Sequence, residues 1–222
     1  TYLKRFSATS VLVIVLALFT IINPYASLDI LAVVVAVFIV LNKIFGEYFV
    51  LVLLAARPFL DKWRDVGLFS AKSFDININA ALSILLLVWS IYFFIKNREE
   101  FLKIPAKIPW LAFIAWCSFT LIYSYDKTST VRETMKAANL FALFGISYIL
   151  YLKDGEKFKK WLLKALMASA IIPLAFATYQ LVSGTGLDID GVKNRIFGTF
   201  AHPNILSTFA LLLLMVLVEG AK

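Results

Sequence analysis

The stretch INAALSILLLVWSIYFFI, from Ile78 to Ile95, decides the fold class of this chain. It holds no charged residue, and its length is that of a helix crossing a bilayer, which takes about 20 apolar residues with a range of about 17–25. The whole sequence has the same character, because it is 61% hydrophobic with a mean hydropathy of +0.85. Soluble domains are about 45–50% apolar. We therefore predict an all-α, polytopic transmembrane helical bundle.

Eight apolar runs are candidate spans, the third of them short unless it takes in Ile44 and Phe59, and the charged residues cluster between them. Their approximate limits are Ser7–Ile22, Leu28–Leu41, Phe45–Ala56, Ile78–Ile95, Ile108–Tyr123, Ala137–Leu152, Trp161–Val182 and Ile205–Val218. Since a helical bundle in lipid is one unit, we predict a single transmembrane domain over residues 1–222. The chain starts at Thr1 and stops just after an apolar run, so we expect an N-terminal portion of a longer protein, truncated at both ends.

The net charge of +8 follows the membrane pattern. The loops at 96–107 and 153–160 are short and strongly basic, which predicts a cytoplasmic N-terminus by the positive-inside rule. We expect membrane lipids as partners and no nucleic acid. The single cysteine, Cys117, excludes an internal disulfide and gives no metal cluster.

Several cations nevertheless fall at predicted outer ends of spans, where topology gives no reason for them. They are Arg57, Arg64, Arg132, Lys136, Lys193 and Arg195. One interpretation is an anionic substrate at the outer face. The other is ordinary loop charge, balanced by Asp61, Asp65, Asp126, Glu133, Asp188 and Asp190. Composition alone leaves both open.

The segment before the sixth span has helix-start spacing. Thr130 and Glu133 stand three residues apart, as in a capping box. A helix starting there would put Arg132 and Lys136 on one face, where they would reach lipid phosphate or line a site. Polar residues near the outer ends of spans, Asn139 and Gln180, predict interhelical hydrogen bonds.

Recognisable chemistry motifs are few. Asp188-Ile-Asp190-Gly191 looks like the start of a calcium loop, but Val192 and Thr199 stand where later ligands are expected. The pair also resembles the Asp-x-Asp metal motif of nucleotide-sugar transferases. Two aspartates around one residue are common by chance, so we predict no metal and no cofactor.

The most unusual segment is KNRIFGTFAHPNILSTF, Lys193 to Phe209. Gly198-Thr199 permits close backbone approach. Pro203 suits the first turn of the eighth span, which places His202 near the N-cap. The N-terminus of a helix presents unpaired N–H groups, and with Arg195 beside it would form an anion site, especially for phosphate.

In order, Arg195-x-x-Gly198-Thr199-Phe200-x-x-Pro203-Asn204 resembles the signature of the O-antigen ligase and polymerase superfamily. The preceding layout is also similar, with Gln180 followed by a glycine-rich loop at Gly184 and Gly186. The strong part of the resemblance covers Gln180 to Asn204. Upstream, the spans match in hydropathy and rhythm, including an Arg57-Pro58 turn.

The resemblance implies a multi-span enzyme of the bacterial inner membrane that transfers a glycan from an undecaprenyl-pyrophosphate carrier to an acceptor glycan or the lipid A core, at the outer face. It makes Arg195 the candidate catalytic residue. Candidate substrate-binding residues are Lys193, Gly198, Thr199, His202, Asn204, Arg57 and Arg132, with His202 expected to cap or pack rather than act as a base.

The resemblance also implies a later periplasmic loop with further catalytic residues, so we expect this portion alone to be inactive. Ligase and polymerase share the signature and are not separated by it. A transporter or channel for an anionic solute, which would use the same outer cations, and a non-catalytic membrane module are the alternatives.

Overall fold

The computed structural model describes residues 27–63, 67–71, 74–189 and 191–220, and these are mostly helical. In hydrocarbon every backbone N–H and C=O must pair within its own segment, so the apolar runs form helices. The helices are α1 (Ser27–Phe45), α2 (Phe49–Leu60), α3 (Ile78–Lys96), α4 (Arg98–Leu102), α5 (Lys107–Phe119), α6 (Lys127–Asp154), α7 (Glu156–Ser183) and α8 (Pro203–Gly220). The predicted first span, Ser7–Ile22, lies outside the described residues.

The helical class holds except at two antiparallel hairpins, both in segments predicted as loops. The strands are β1 (Gly67–Ala71), β2 (Phe74–Asn77), β3 (Leu187–Ile189) and β4 (Val192–Arg195). In the second hairpin, Gly191 turns the chain with φ +77°, and a Cβ on Gly186 would lie 2.3 Å from the backbone of Asn194. The helical fold class is therefore confirmed in its main part, and the second hairpin forms because its glycines allow that loop to pair its own backbone.

Four helical stretches are long and apolar enough to cross a membrane. They are Ala32–Leu60, Ile78–Lys96, Lys127–Asp154 and Glu156–Ser183. The first overlaps most of the predicted second span and contains the third, and it is broken at Gly46, a residue with φ +59°. Two shorter apolar helices, Lys107–Ile122 and Pro203–Val218, coincide with the predicted fifth and eighth spans.

The chain divides into two compact units, residues 1–40 with 67–156 and residues 41–66 with 157–222. In the first unit, α6 packs against α3 and α5. A Cβ on Gly145 would lie 2.9 Å from Cζ of Phe94, so glycine lets α6 approach α3 closely. An aromatic cluster holds the contact, with the ring centroids of Phe94 and Phe101 5.0 Å apart and those of Phe94 and Phe141 6.1 Å apart.

The helix before the sixth span begins earlier than predicted. Asp126, not Thr130, caps α6, since its Oδ1 accepts the N–H of Ser129 at 3.0 Å and its Oδ2 accepts the Ser129 hydroxyl at 2.6 Å. The Thr130 hydroxyl instead donates to the Asp126 carbonyl oxygen at 2.9 Å. The capping-box assignment at Thr130 is therefore wrong, although a helix does run from this region through Ala137–Leu152.

The second unit holds α2, α7, the β3–β4 hairpin and α8. The Nζ atom of Lys62, just beyond α2, lies 3.8 Å from the ring centroid of Phe176 on α7, a cation–π contact. Gly184, with φ +65°, directly follows the end of α7. Between the hairpin and α8 lies the segment that carries the predicted signature.

Candidate functional site

The segment from Arg195 to Asn204 joins the hairpin to a helix. Arg195 is the last residue of β4 and lies opposite Leu187. A tight turn follows, in which the N–H of Phe200 donates to the carbonyl oxygen of Phe197 at 3.1 Å. Pro203 is the first residue of α8, as predicted. The chain thus reverses between a strand end and a helix start within a few residues.

Gln180 of α7 holds this turn. Its Oε1 accepts the backbone N–H groups of Phe197 at 3.0 Å and Gly198 at 2.9 Å, and its Nε2 donates to the carbonyl oxygen of Gly198 at 3.1 Å. The side chain is 7% exposed. The prediction that Gln180 hydrogen-bonds to another helix is wrong, because its side-chain amide hydrogen-bonds to the backbone of the turn instead.

The turn also presses on two helices of its unit. Gly198 has φ +61°, and a Cβ there would lie 2.8 Å from the carbonyl oxygen of Pro173 in α7. The buried hydroxyl of Thr199 donates to the carbonyl oxygen of Pro58 in α2 at 2.7 Å. That carbonyl is free to accept because it belongs to the last turn of α2. The close approach predicted at Gly198-Thr199 is confirmed.

Arg195 and Asn204 meet across the turn. Nη2 of Arg195 donates to Oδ1 of Asn204 at 3.0 Å. A guanidinium has five N–H donors. Within the described ranges, the bond to Asn204 is the hydrogen bond of the Arg195 side chain, and no described carboxylate is paired with it. The structure therefore places a cation with spare donors at the first turn of α8.

His202 caps α8. Its Nδ1 accepts the backbone N–H of Asn204 at 3.2 Å, and its carbonyl oxygen accepts the N–H of Ile205 at 3.0 Å. An N-cap side chain that pairs an N–H of the first turn stabilises the helix start. The predicted capping role of His202 is confirmed.

Arg57 shares a cavity with the signature segment. It is exposed at the end of α2 and, with Asp61, lines a cavity of about 420 Å³ whose apolar walls include Phe200, Ile205 and Phe209. The rings of Phe200 and Phe209 lie 5.2 Å apart. The structure thus brings Arg57 into the same unit and the same cavity as residues from both sides of the turn.

The other two cations of the candidate site, Lys193 and Arg132, do not line this cavity. Lys193 is exposed in β4. Arg132 belongs to the first unit, where it is exposed on α6, one helical turn from Lys136 as predicted. Lys136 Nζ lies 2.6 Å from Oε1 of Glu133, and both residues line a separate cavity of about 570 Å³ beside α5.

Electrostatics at the start of α6 come from one carboxylate. The hydroxyl of Ser129 and then its backbone N–H, each bonded to Asp126, lower the pKa of that aspartate below its ordinary value of 3.8, with the charge of Arg132 adding a smaller effect. The carboxylate is therefore favoured in its ionised form at the helix N-terminus.

The Asp188–Asp190 pair has a structural role at its first member. Oδ1 of Asp188 accepts the backbone N–H of Asn194 at 2.8 Å and so closes the hairpin. Asp190 lies outside the described residues. Across the parts of the chain that the structure describes, no group of three or more His, Cys, Asp or Glu side chains is placed to hold a metal ion.

Two site features were missed from the sequence, namely the loop-holding role of Gln180 and the acceptor role of the Pro58 carbonyl. Gln180 carried a signal, because it is the only glutamine in the chain and stands in an apolar run just before a glycine-rich loop. The carbonyl of Pro58 carried no sequence signal, since any residue supplies a backbone carbonyl.

No family model, no curated protein and no solved structure matches this chain.

Proposed function

We propose that this chain is part of a membrane glycan transferase of the O-antigen ligase and polymerase type. The observation that carries the proposal is the Arg195–Asn204 hydrogen bond, which holds a guanidinium with unused donors at the N-terminus of an apolar helix. Helix N-termini and arginine forks both suit phosphate groups. The substrate would be a saccharide on an undecaprenyl-pyrophosphate carrier, and the acceptor a glycan or the lipid A core.

In the proposed reaction, an acceptor hydroxyl oxygen bonds to the anomeric carbon of the donor sugar and loses its proton to a base. The bond from that carbon to the pyrophosphate oxygen breaks, and the pyrophosphate leaves with the electron pair. Negative charge grows on the leaving group, so donors fixed where it develops lower the barrier. Arg195 would supply them, and Arg57, which lines the cavity beside Phe200 and Ile205, would add positive charge.

The proposal includes a topology. It places eight spans in an inner bacterial membrane, with the N-terminus cytoplasmic and the turn at residues 195–204 on the periplasmic face. The support is the basic character of the loops at 96–107 and 153–160, and the four long apolar helical stretches together with two shorter ones. The proposal requires the stretch Ala32–Leu60 to cross twice, with the reversal at the break at Gly46. With this orientation Arg195 and Arg57 would meet a carrier presented at the outer face.

The test is glycan transfer by the full-length protein in proteoliposomes, with undecaprenyl-pyrophosphate-linked oligosaccharides as donors and a glycolipid acceptor. Arg195→Ala should lower transfer about 100-fold or more, the usual effect of removing a donor to developing charge. Lys160→Ala, which removes an exposed cation of the same unit, should leave transfer unchanged. Undiminished transfer by Arg195→Ala would overturn the proposal.

A second variant separates the charge of Arg195 from its structural contact. Asn204→Asp keeps an acceptor for Nη2, forms an ion pair, and puts an acid at a helix N-terminus, where it is favourable. We expect unchanged or raised thermal stability but transfer as low as in Arg195→Ala, because the ion pair neutralises the guanidinium. Active Asn204→Asp protein would contradict a role for that charge. The transporter alternative would be favoured if the parent protein took up anions into the same vesicles without transferring any glycan, and if Arg195→Ala abolished that uptake.

A further inference from the structure

The amide of Gln180 is matched to the backbone of the turn at three atoms. Two consecutive N–H groups, from Phe197 and Gly198, converge on Oε1, and the carbonyl oxygen of Gly198 receives Nε2. An amide side chain offers acceptor and donor atoms side by side. Its contacts are therefore specific to the present path of the backbone.

The surroundings make these contacts costly to lose. Gln180 is buried near the end of an apolar helix, where a polar group without partners is strongly unfavourable. The same holds for the backbone groups of Gly198, which is buried between the Gln180 side chain and the carbonyl of Pro173. The turn cannot move away from α7 without exposing unpaired groups on both sides.

Arg195 is tied to the held turn at both ends. One residue, Ile196, separates it from Phe197 along the chain, and its hydrogen bond to Asn204 reaches the start of α8. A shift of the turn would therefore move the guanidinium relative to the first turn of α8. We propose that Gln180 is a positioning residue for Arg195, acting through the backbone at 197 and 198; this inference rests on the proposed function.

Substitutions at Gln180 can separate its atoms. Gln180→Met keeps length and volume but removes every hydrogen bond. Gln180→Glu keeps the acceptor for both N–H groups but sets a carboxylate oxygen against the carbonyl of Gly198. Thr178→Val is the matched control, since the hydroxyl of Thr178 is exposed and bonds within its own helix, to the carbonyl oxygen of Leu174 at 2.9 Å.

The experiment measures transfer kinetics of the full-length protein in proteoliposomes with an undecaprenyl-pyrophosphate-linked oligosaccharide as donor. We expect Gln180→Met and Gln180→Glu to lower kcat about 10- to 100-fold, as a misplaced catalytic group does, while the donor KM changes less than about 3-fold. Thr178→Val should match the parent protein. Membrane insertion and the thermal unfolding midpoint check that each variant folds. If Gln180→Met does not fold, Gln180→Glu alone provides the test.

A double-variant comparison shows whether Gln180 acts through Arg195. If it does, adding Gln180→Glu to Arg195→Ala should lower kcat no further, because coupled residues are not additive. Additive losses would assign Gln180 a merely structural role and overturn the inference. If Gln180→Met and Gln180→Glu transfer glycan fully while Arg195→Ala does not, the inference about Gln180 is overturned and the proposed function stands. Full transfer by Arg195→Ala would overturn the proposed function, and this inference with it.

Discussion

Gly198→Ala is the most informative single change to the turn. The new Cβ would lie 2.8 Å from the carbonyl oxygen of Pro173, a backbone atom of a helix that has no free rotation. Gly198 also has φ +61°, which L-residues adopt at a cost of about 1–2 kcal/mol. The substitution therefore combines a conformational cost with a displacement of the turn from α7.

The two costs can be estimated separately. Displacement would break the hydrogen bonds from the N–H and to the C=O of Gly198 at Gln180, each contributing about 1 kcal/mol. With about 1 kcal/mol for the left-handed backbone, the total is about 3 kcal/mol. Gly184→Ala is the matched control, because Gly184 has φ +65° with nothing within 4 Å of the added Cβ. It should lose only about 1 kcal/mol.

The assay is hydrogen–deuterium exchange in a mild detergent, read at the amides of residues 197 and 198. A loss of about 3 kcal/mol corresponds to exchange about 100-fold faster, whereas Gly184→Ala should leave these two amides unchanged. The thermal unfolding midpoints should follow the same order. Equal protection of these amides in the two variants would refute the claim that contact with Pro173 requires glycine at position 198.

Two further predictions concern a buried hydroxyl and a helix cap. Thr199→Val should destabilise the protein by about 1–2 kcal/mol, because it leaves the Pro58 carbonyl without its donor. Thermal unfolding measures this loss of stability, which should be smaller in Thr199→Ser because the hydroxyl is kept. Equal losses of stability in the two variants would contradict the importance of the hydrogen bond. Asp126 should protect the Ser129 amide from exchange above pH 3.8, and the protection should fade as pH falls through the lowered pKa of this carboxylate in the folded state. Asp126→Ala should abolish that pH dependence, and a pH dependence unchanged by the substitution would count against the cap.

Much of the fold was predictable because hydropathy reports a local requirement. Three predicted spans, Ile78–Ile95, Ala137–Leu152 and Trp161–Val182, lie within the helices α3, α6 and α7. Helix starts were less predictable, because Asp126 and Thr130 stand four residues apart and both can cap a helix. Asp126 is the N-cap because it accepts two hydrogen bonds from Ser129. The spacing of Thr130 and Glu133 did not indicate this.

In the candidate site, too, some residue roles were predictable from the sequence and one contact was not. Gly198, His202 and Pro203 were assigned their local roles from residue type, since close backbone approach, capping and the first helical turn each favour particular residues. The contact between Arg195 and Asn204 was not specified by the pattern, although both residues were candidates. It required the hairpin to end beside the start of α8.

By itself, the sequence determined the apolar helices, the glycine turn and the arginine that precedes α8. Only the tertiary structure decided what holds the turn, because its anchors are distant in the chain. Gln180 lies 17 and 18 residues from its partners, and the Pro58 carbonyl lies 141 residues from Thr199. Such bonds depend on which helices pack together, and residue-by-residue hydropathy does not encode that choice, because one apolar helix face accepts many neighbours.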